Sequence, residues 1–165
     1  MRTNITITLF HLILPMILMG QNAKNMNPNL FTHRSHYSVE ETLSRIESQL
    51  KALNIPVFAK FDHQKNARAV NMTLRPTQVI VFGAPAVGTK LMEINPAIAI
   101  ELPLRIAVWE DENNRVWAAF PQMRPLAEKY NLQDHPIIEK MQKLLEELVT
   151  QASERPSTDE QQDVR

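Results

Sequence analysis

Segments with two different apolar periodicities alternate along this chain, and this alternation is the feature that most constrains its fold. Val57, Ala59 and Phe61 recur at every second position, as side chains do on one face of a strand. The continuous apolar run 79–82 is typical of a central strand. A stripe at steps of four and three residues instead predicts a helix that buries one side. That stripe consists of Val39, Leu43, Ile46, Leu50 and Leu53.

The predicted elements occur in the order β-α-β-α-β-α-β-β-α. The two consecutive strands are the segments 104–109 and 116–120, which flank a polar turn and therefore predict a β-hairpin. Trp109 and Trp117 fall on facing strands of this hairpin, where we expect core or dimer packing. The whole order predicts an α+β fold, a single sheet of about five strands with helices mainly on one face, in two layers.

The last predicted helix starts at Asp134 and Pro136 and carries an apolar stripe of its own. The stripe is too short for a free-standing coiled coil, so it must pack on the sheet of its own subunit or against a partner. We favour packing within the subunit, because one face of the predicted sheet needs a cover. The stripe comprises Ile138, Met141, Leu145, Leu148 and Ala152.

The first residues differ from the rest of the chain. Arg2 precedes a mainly apolar run, 5–19, which small and polar residues follow. This is the order of a secretory signal peptide, and the run is shorter than the roughly 20 residues of a membrane-spanning helix. We therefore expect a secreted or periplasmic protein, or alternatively one anchored to the membrane by an uncleaved segment. The predicted division is 1–23 signal peptide, 24–29 linker, 30–152 single α+β domain and 153–165 disordered tail.

Charge and cysteine content exclude several classes of function. The 18 Lys and Arg residues balance the 18 Asp and Glu residues, so no net field attracts a phosphate backbone or acidic lipids. The chain has no cysteine, which excludes disulfides, thiol nucleophiles, cysteinyl zinc sites and iron–sulfur clusters. We expect no nucleic-acid partner, no metal and no cofactor. Membrane contact is expected only through the N-terminal segment, if that segment stays uncleaved.

The segment 83–90 partly matches a phosphate-binding loop. Gly83 and Gly88 have the required spacing, but Thr89 precedes Lys90, whereas the motif needs the lysine first. Because lysine must reach the terminal phosphates while the hydroxyl holds magnesium, this order disfavours nucleotide hydrolysis. We expect a sharp strand-to-helix turn, with Gly83 in a backbone conformation costly for other residues and Gly88 beginning or breaking a helix. Such a helix start could still receive an anion or a carboxylate.

Histidines provide the other candidate side chains. Asp62 and His63 lie together where a strand ends. They are an acid–base pair, a metal or cofactor ligand, or a helix cap followed by an exposed first-turn residue, and the last interpretation is favoured. His33 and His36 would point to opposite faces of a regular strand, which makes them a poor chelating pair.

Six short motifs follow one another between Tyr37 and Leu132. They are Phe61-Asp62-His63, Leu74-Arg75-Pro76-Thr77, Val81-Phe82-Gly83-Ala84-Pro85, Gly88-Thr89-Lys90-Leu91-Met92, Glu101-Leu102-Pro103-Leu104-Arg105 and Trp109-Glu110-Asp111. In this order and spacing the chain resembles the domain-of-unknown-function family 302, whose members usually have asparagine at the position of Ala84. The resemblance implies a compact α+β domain that forms dimers, in a family with many exported members. It implies no settled activity.

Two functions of different classes remain open. The first is an exported module that binds a small molecule or an anion, or another protein, and acts as a homodimer. The second is an enzyme that uses an aspartate–histidine pair for acid–base chemistry, with an anion held at a helix start. No catalytic residue is assigned. The candidate ligand-binding residues are Asp62, His63, Gly83, Pro85, Gly88 and Thr89.

Overall fold

The computed structural model describes residues 27–156 and contains one sheet of five strands. The strands are β1 (Leu30–Ser35), β2 (Val57–Asp62), β3 (Thr77–Phe82), β4 (Leu104–Glu110) and β5 (Val116–Pro121). Their spatial order is β1-β5-β4-β3-β2, and each neighbouring pair is antiparallel. The predicted α+β class with a single sheet of about five strands is confirmed. The predicted signal peptide, residues 1–23, lies outside the described residues.

The helices follow the predicted order, with two short elements in addition. They are α1 (Val39–Ala52), α2 (His63–Ala69), α3 (Pro85–Ile94), a 3₁₀ helix (Pro96–Glu101), α4 (Met123–Glu128) and α5 (Pro136–Ser153). The 3₁₀ helix lies between α3 and β4, and α4 lies between β5 and α5. Within residues 27–156, no helix is both long enough and apolar enough to cross a bilayer.

Helix α1 forms because its start is capped and its apolar stripe packs into the core. The Ser38 hydroxyl accepts a hydrogen bond from the Glu41 backbone N–H at 3.1 Å, which satisfies one of the free amides of the first turn. On the inward side, Ile46 and Leu50 are fully buried. They belong to one apolar core with Ile80 and Ile106, which are paired on the central strands β3 and β4.

Helix α5 packs beside α1 on the same face of the sheet. Its predicted stripe is buried within the subunit, which confirms that this helix completes the core of its own chain. The Arg45 guanidinium of α1 donates a hydrogen bond from Nε to the Ala152 carbonyl at 3.0 Å. Gln49 of α1 likewise donates to the Leu148 carbonyl. These bonds hold the two long helices side by side.

The opposite face of the sheet, here called the outer face, is only partly covered. Trp109 and Trp117 form a directly opposed pair on it, as the hairpin predicts, and both are half-buried. Small and branched side chains separate this pair from the far edge of the sheet. The outer face comprises the apolar residues Ala59, Phe61, Val79, Val81, Ala107, Trp109, Trp117 and Ala119 together with the polar or charged residues Thr32, Arg34, Thr77 and Arg105.

The turn of the β4–β5 hairpin is organised around the carboxylate of Asp111. It accepts hydrogen bonds from Trp117 Nε1 at 2.9 Å, from Arg115 Nε at 2.8 Å, and from the backbone N–H groups of Asn113 and Arg115. Desolvation alone would raise the pKa of Asp111, but these hydrogen bonds together hold that pKa well below its usual range. The carboxylate therefore fixes one tryptophan of the outer face in place.

Candidate functional site

An apolar cavity of about 630 Å³ lies at one end of the strands, where β3 ends and β4 begins. This end of the sheet is here called the cavity edge. Phe82 and Leu104, which pair across these two strands, line it from the sheet side. Helix α3 and the 3₁₀ helix line a second side, and α5 contributes Met141 and Leu144. The volume falls within the range of about 300–1,000 Å³ that is typical of small-molecule pockets.

The edge strand β2 widens this cavity through an irregularity in its pairing. Val57 pairs with Phe82 and Ala59 pairs with Val81, so Phe58 is an extra residue in the ladder. Such a bulge turns a side chain away from the regular alternation of the strand. Phe58 consequently lines the cavity and is also 52% exposed. It stands at the boundary between the cavity and solvent.

The segment from α3 to the end of the 3₁₀ helix, residues 85–101, is here called the wall segment. Its two anchors in the core are Leu91 and Ile98, both fully buried. Polar contacts add to these anchors. Asn95 Nδ2 donates to the Tyr130 carbonyl at 3.0 Å, and the Tyr130 hydroxyl donates to Glu101 Oε1 at 3.0 Å. Burial, together with the adjacent Glu101 carboxylate, raises the pKa of Tyr130, so this hydroxyl is a donor at neutral pH.

Four of the six residues predicted to bind a ligand line this cavity. They are Gly83, Pro85, Gly88 and Thr89. The other two predicted residues, Asp62 and His63, do not line the cavity. Asp62 pairs with Gln78 at the other end of β3, roughly 16 Å of strand away from Gly83.

Asp62 and His63 have a local structural role instead. The Asp62 carboxylate accepts a hydrogen bond from the Lys65 backbone N–H at 2.8 Å and thereby caps α2. His63 is exposed, and its ring stacks on Phe61 with centroids 6.5 Å apart. The capping interpretation that the sequence favoured is therefore the observed one.

The predicted conformations of the two glycines are wrong. Gly83 does not have a positive φ, and a Cβ added to it would meet Phe58 and Pro103 at ordinary contact distances of 3.6 and 3.7 Å. Gly88 neither begins nor ends a helix, because α3 begins at Pro85 and continues to Ile94. Proline, with its preset φ, makes the helix start that the sequence analysis assigned to glycine. Both glycines instead leave room beside the cavity.

The two histidines of the first strand region converge on one carboxylate. β1 ends at Ser35, so His36 lies beyond the strand and the opposite-face prediction does not apply to it. His33 Nε2 lies 2.9 Å from Glu154 Oε1, and His36 Nε2 lies 3.6 Å from Glu154 Oε2. Within residues 27–156, no group of three or more histidine, aspartate and glutamate side chains has a metal-binding arrangement.

The sequence analysis missed most of the apolar lining. Phe58, Met92, Met141 and Leu144 line the cavity but belong to three different elements, β2, α3 and α5. Met141 was predicted as part of the core stripe of α5, and it is both buried in the core and part of the cavity lining. One local signal in the sequence was a large aromatic residue, Phe58, at a position that the alternation of Val57 and Ala59 leaves for a polar side chain.

Comparison with known families identifies the family to which this chain belongs. The family model described as domain of unknown function DUF302 matches residues 31–148, which include all five strands, the wall segment and most of α5. The chain belongs to the DUF302 family. A crystal structure of a DUF302 protein from Bacillus stearothermophilus has a TM-score of 0.68 with this chain, at 18% sequence identity. That match covers 77% of this chain and 99% of the other, and it shows the shared fold.

Curated relatives of this DUF302 protein are longer than it is. A protein of Brucella suis named fluoride-specific ion channel FluC 1 is 34% identical over 110 residues, which are 67% of this chain and 43% of the relative. The protein of the same name from Brucella abortus is also 34% identical over 110 residues, which are 41% of its length. This chain thus spans less than half the length of the curated relatives it matches.

Gly88→Ala should stabilise the protein, because Gly88 lies inside α3 without a positive φ. A Cβ there would meet Leu102 Cδ1 at 3.5 Å and Met92 Cε at 3.9 Å, both ordinary contacts. Replacing an interior helical glycine by alanine removes a cost of roughly 0.5–1 kcal/mol. Chemical denaturation should show this gain in the free energy of unfolding. A loss of stability would mean that the backbone at Gly88 needs glycine after all.

Proposed function

We propose that this DUF302 protein is an exported binding module whose cavity takes a small, predominantly apolar molecule, and that it acts as a homodimer. The observation that carries the ligand proposal is the cavity at the ends of β3 and β4, with its lining of aliphatic, aromatic and methionine side chains. Concave apolar pockets with few polar groups are the usual form of a small-molecule site.

The lining defines the chemistry of the ligand. Among the described residues, no charged side chain lines the cavity, and the side-chain hydroxyl of the lining comes from Thr89. Burying a charge without a partner is costly, so the buried part of the ligand is uncharged. One hydroxyl gives it at most one or two hydrogen bonds. An anion at the start of α3 is the less supported version, because the N–H groups of Val87 and Gly88 already bond to the Ala84 carbonyl.

The enzyme alternative has no observation in its favour. Acid–base catalysis needs the acting side chain within about 3 Å of the proton that moves. Asp62 is engaged in capping α2 and lies at the opposite end of β3 from Gly88. The cavity therefore supports binding better than it supports turnover.

The outer face of the sheet supports the homodimer proposal. Both tryptophans of the chain lie on it, and a half-buried pair of this size is a common anchor in protein interfaces. Arg34 and Thr77 flank the pair on either side, in β1 and β3. A second copy that stacks its own outer face on this one would bury both pairs.

We also propose that the protein is secreted or periplasmic. The charged, apolar and small-residue order of residues 1–23 supports secretion or a periplasmic location. The names of the Brucella relatives are those of ion channels, which supports the alternative in which this domain works at a membrane. In that alternative an uncleaved N-terminal segment holds the domain at the bilayer.

Nile red, a neutral apolar dye, provides the direct test of the cavity. We expect its fluorescence to rise on binding to the wild-type protein and the rise to be lost in Gly88→Phe, whose ring would fill the cavity beside Met92. Lys90→Phe is the matched control, because it adds the same ring to an exposed position of α3 outside the lining. If both variants bind Nile red as the wild type does, the dye is not in the cavity and the proposal fails.

Charge placed on the outer face should separate the dimer. Val79→Arg would bury an unpaired guanidinium in the proposed interface, so sedimentation should change from dimer to monomer. Leu53→Arg, at an exposed site away from the outer face, should remain dimeric. Tryptophan emission should shift to the red when the dimer is diluted. A wild-type protein that sediments as a monomer at high concentration would contradict the homodimer.

A further inference from the structure

Nine large apolar side chains are exposed among residues 27–156, and they form two groups. Four lie at or near α2, remote from the cavity, namely Phe61, Val70, Met72 and Leu74. The other five lie at the end of the sheet that holds the cavity, in the loop before β2, in the bulge of β2 and on the wall segment. This group, here called the apolar rim, consists of Leu53, Phe58, Val87, Ile94 and Ile100. Phe58 and Val87 belong to the cavity lining as well, so the rim is continuous with the cavity.

The side chains of the apolar rim are more exposed than large aliphatic side chains usually are in a folded protein. Ile100 is 79% exposed and Ile94 is 55% exposed, although both are among the most hydrophobic side chains. Contiguous apolar patches around a pocket mark places where a protein or a membrane docks. The exposed charged residues on α3, Lys90 and Glu93, have opposite signs. The surface therefore favours an uncharged apolar partner over an acidic or a basic one.

The course of the chain indicates which partner this is. Leu30, the first residue of β1, pairs with Pro121 at the end of β5, and this is the same sheet edge at which Phe82 and Leu104 meet. With strands about 4.8 Å apart, the start of β1 lies roughly 10 Å from β4 and 14 Å from β3. The chain N-terminal to Leu30 thus leaves the domain beside the cavity.

That preceding chain carries the apolar run 5–19, and ten residues, 20–29, separate this run from β1. Ten extended residues reach at most about 36 Å. A run held in a bilayer, as in the membrane-anchored alternative, keeps the domain close to the lipid surface with its cavity edge on the side of the tether.

We propose that the apolar rim docks on a lipid bilayer surface, with the cavity opening towards the acyl chains. Val87, Ile94 and Ile100 of the wall segment, with Phe58 beside them, enter the interface between headgroups and chains. Amphipathic surfaces bind membranes in this way, by burying apolar side chains at the acyl boundary. This inference rests on the proposed function in two respects. The cavity holds an apolar ligand, which here comes from the lipid phase, and the N-terminal segment stays uncleaved, as in the membrane-anchored alternative.

The test uses site-specific labels, which the absence of cysteine makes simple. Two variants of the full-length chain, Ile100→Cys in the rim and Met72→Cys as the control, each provide one thiol for the polarity-sensitive dye nitrobenzoxadiazole. Met72 is a matched position because it is 66% exposed but lies beyond α2, which follows the end of β2 remote from the cavity. Both labelled chains carry the same N-terminal segment, so the comparison measures orientation and not tethering.

Neutral phosphatidylcholine vesicles should raise the emission of the dye at position 100 several-fold and shift it to the blue, with little change at position 72. Equal responses at the two positions, or none at position 100, would overturn the proposal. A response that needs anionic phosphatidylglycerol would show electrostatic attachment instead of apolar insertion. A response at position 100 that grows with protein concentration before vesicles are added would assign the rim to a second copy of the chain.

The outcome is separable from that of the ligand proposal. If Gly88→Phe shows that Nile red does not bind in the cavity while position 100 still enters vesicles, the ligand proposal fails and the docking surface stands. If Nile red binds and position 100 stays in water, the cavity binds its ligand from solution and the docking inference is wrong.

Discussion

The one-sided cover of the sheet is the constraint on which the rest of this structure depends. α1 and α5 lie side by side on the inner face and bury the central residues of β3, β4 and β5. Their mutual hydrogen bonds, from Arg45 and Gln49 to carbonyls of α5, fix that arrangement. The two helices cover the middle of the five-stranded sheet but do not fill the space beside Phe82 and Leu104, where α5 contributes only Met141 and Leu144 to the lining. The wall segment closes this edge only in part, and the cavity is the space that is left.

The same constraint explains why two surfaces of the domain expose large apolar side chains. The outer face has no long helix across it among residues 27–156, so its tryptophan pair and its branched side chains stay half-exposed. The cavity edge presents the rim because the wall segment buries Leu91 and Ile98 but leaves Val87, Ile94 and Ile100 exposed. A two-layer domain of this size therefore has two surfaces that a partner can cover, one flat and one concave.

Local periodicity was sufficient to predict the elements but not the site. The stripes of α1 and α5 determine burial directly, so the two long helices followed from them. The alternation in β2 predicted a strand correctly but not one face, because the bulge at Phe58 places Val57 on the opposite face from Ala59 and Phe61. The cavity lining has no such period, because residues such as Phe58, Ala99 and Leu144 come from elements far apart in the chain. Only the folded sheet edge brings them together.

The partial success with the site residues has a physical reason. The turn that partly matches a phosphate-binding loop does line the cavity, through Gly83, Pro85, Gly88 and Thr89. The side chains around it are apolar and not charged. Asp62 and His63 were candidates because they form a polar pair at a strand end. Helix caps occupy this position as readily as catalytic groups do. Sequence alone does not separate these two roles, because the capping bond to Lys65 is visible only in the structure.

The central claim is that the cavity between β3, β4, α5 and the wall segment holds an apolar ligand. The most direct measurement is the set of methionine methyl signals in a nuclear magnetic resonance titration with Nile red. Met92 and Met141 line the cavity, Met123 is buried elsewhere, and Met72 is exposed at the remote edge. The account predicts that the signals of Met92 and Met141 shift while those of Met123 and Met72 stay in place. Equal shifts at all four, or a shift confined to Met72, would contradict it.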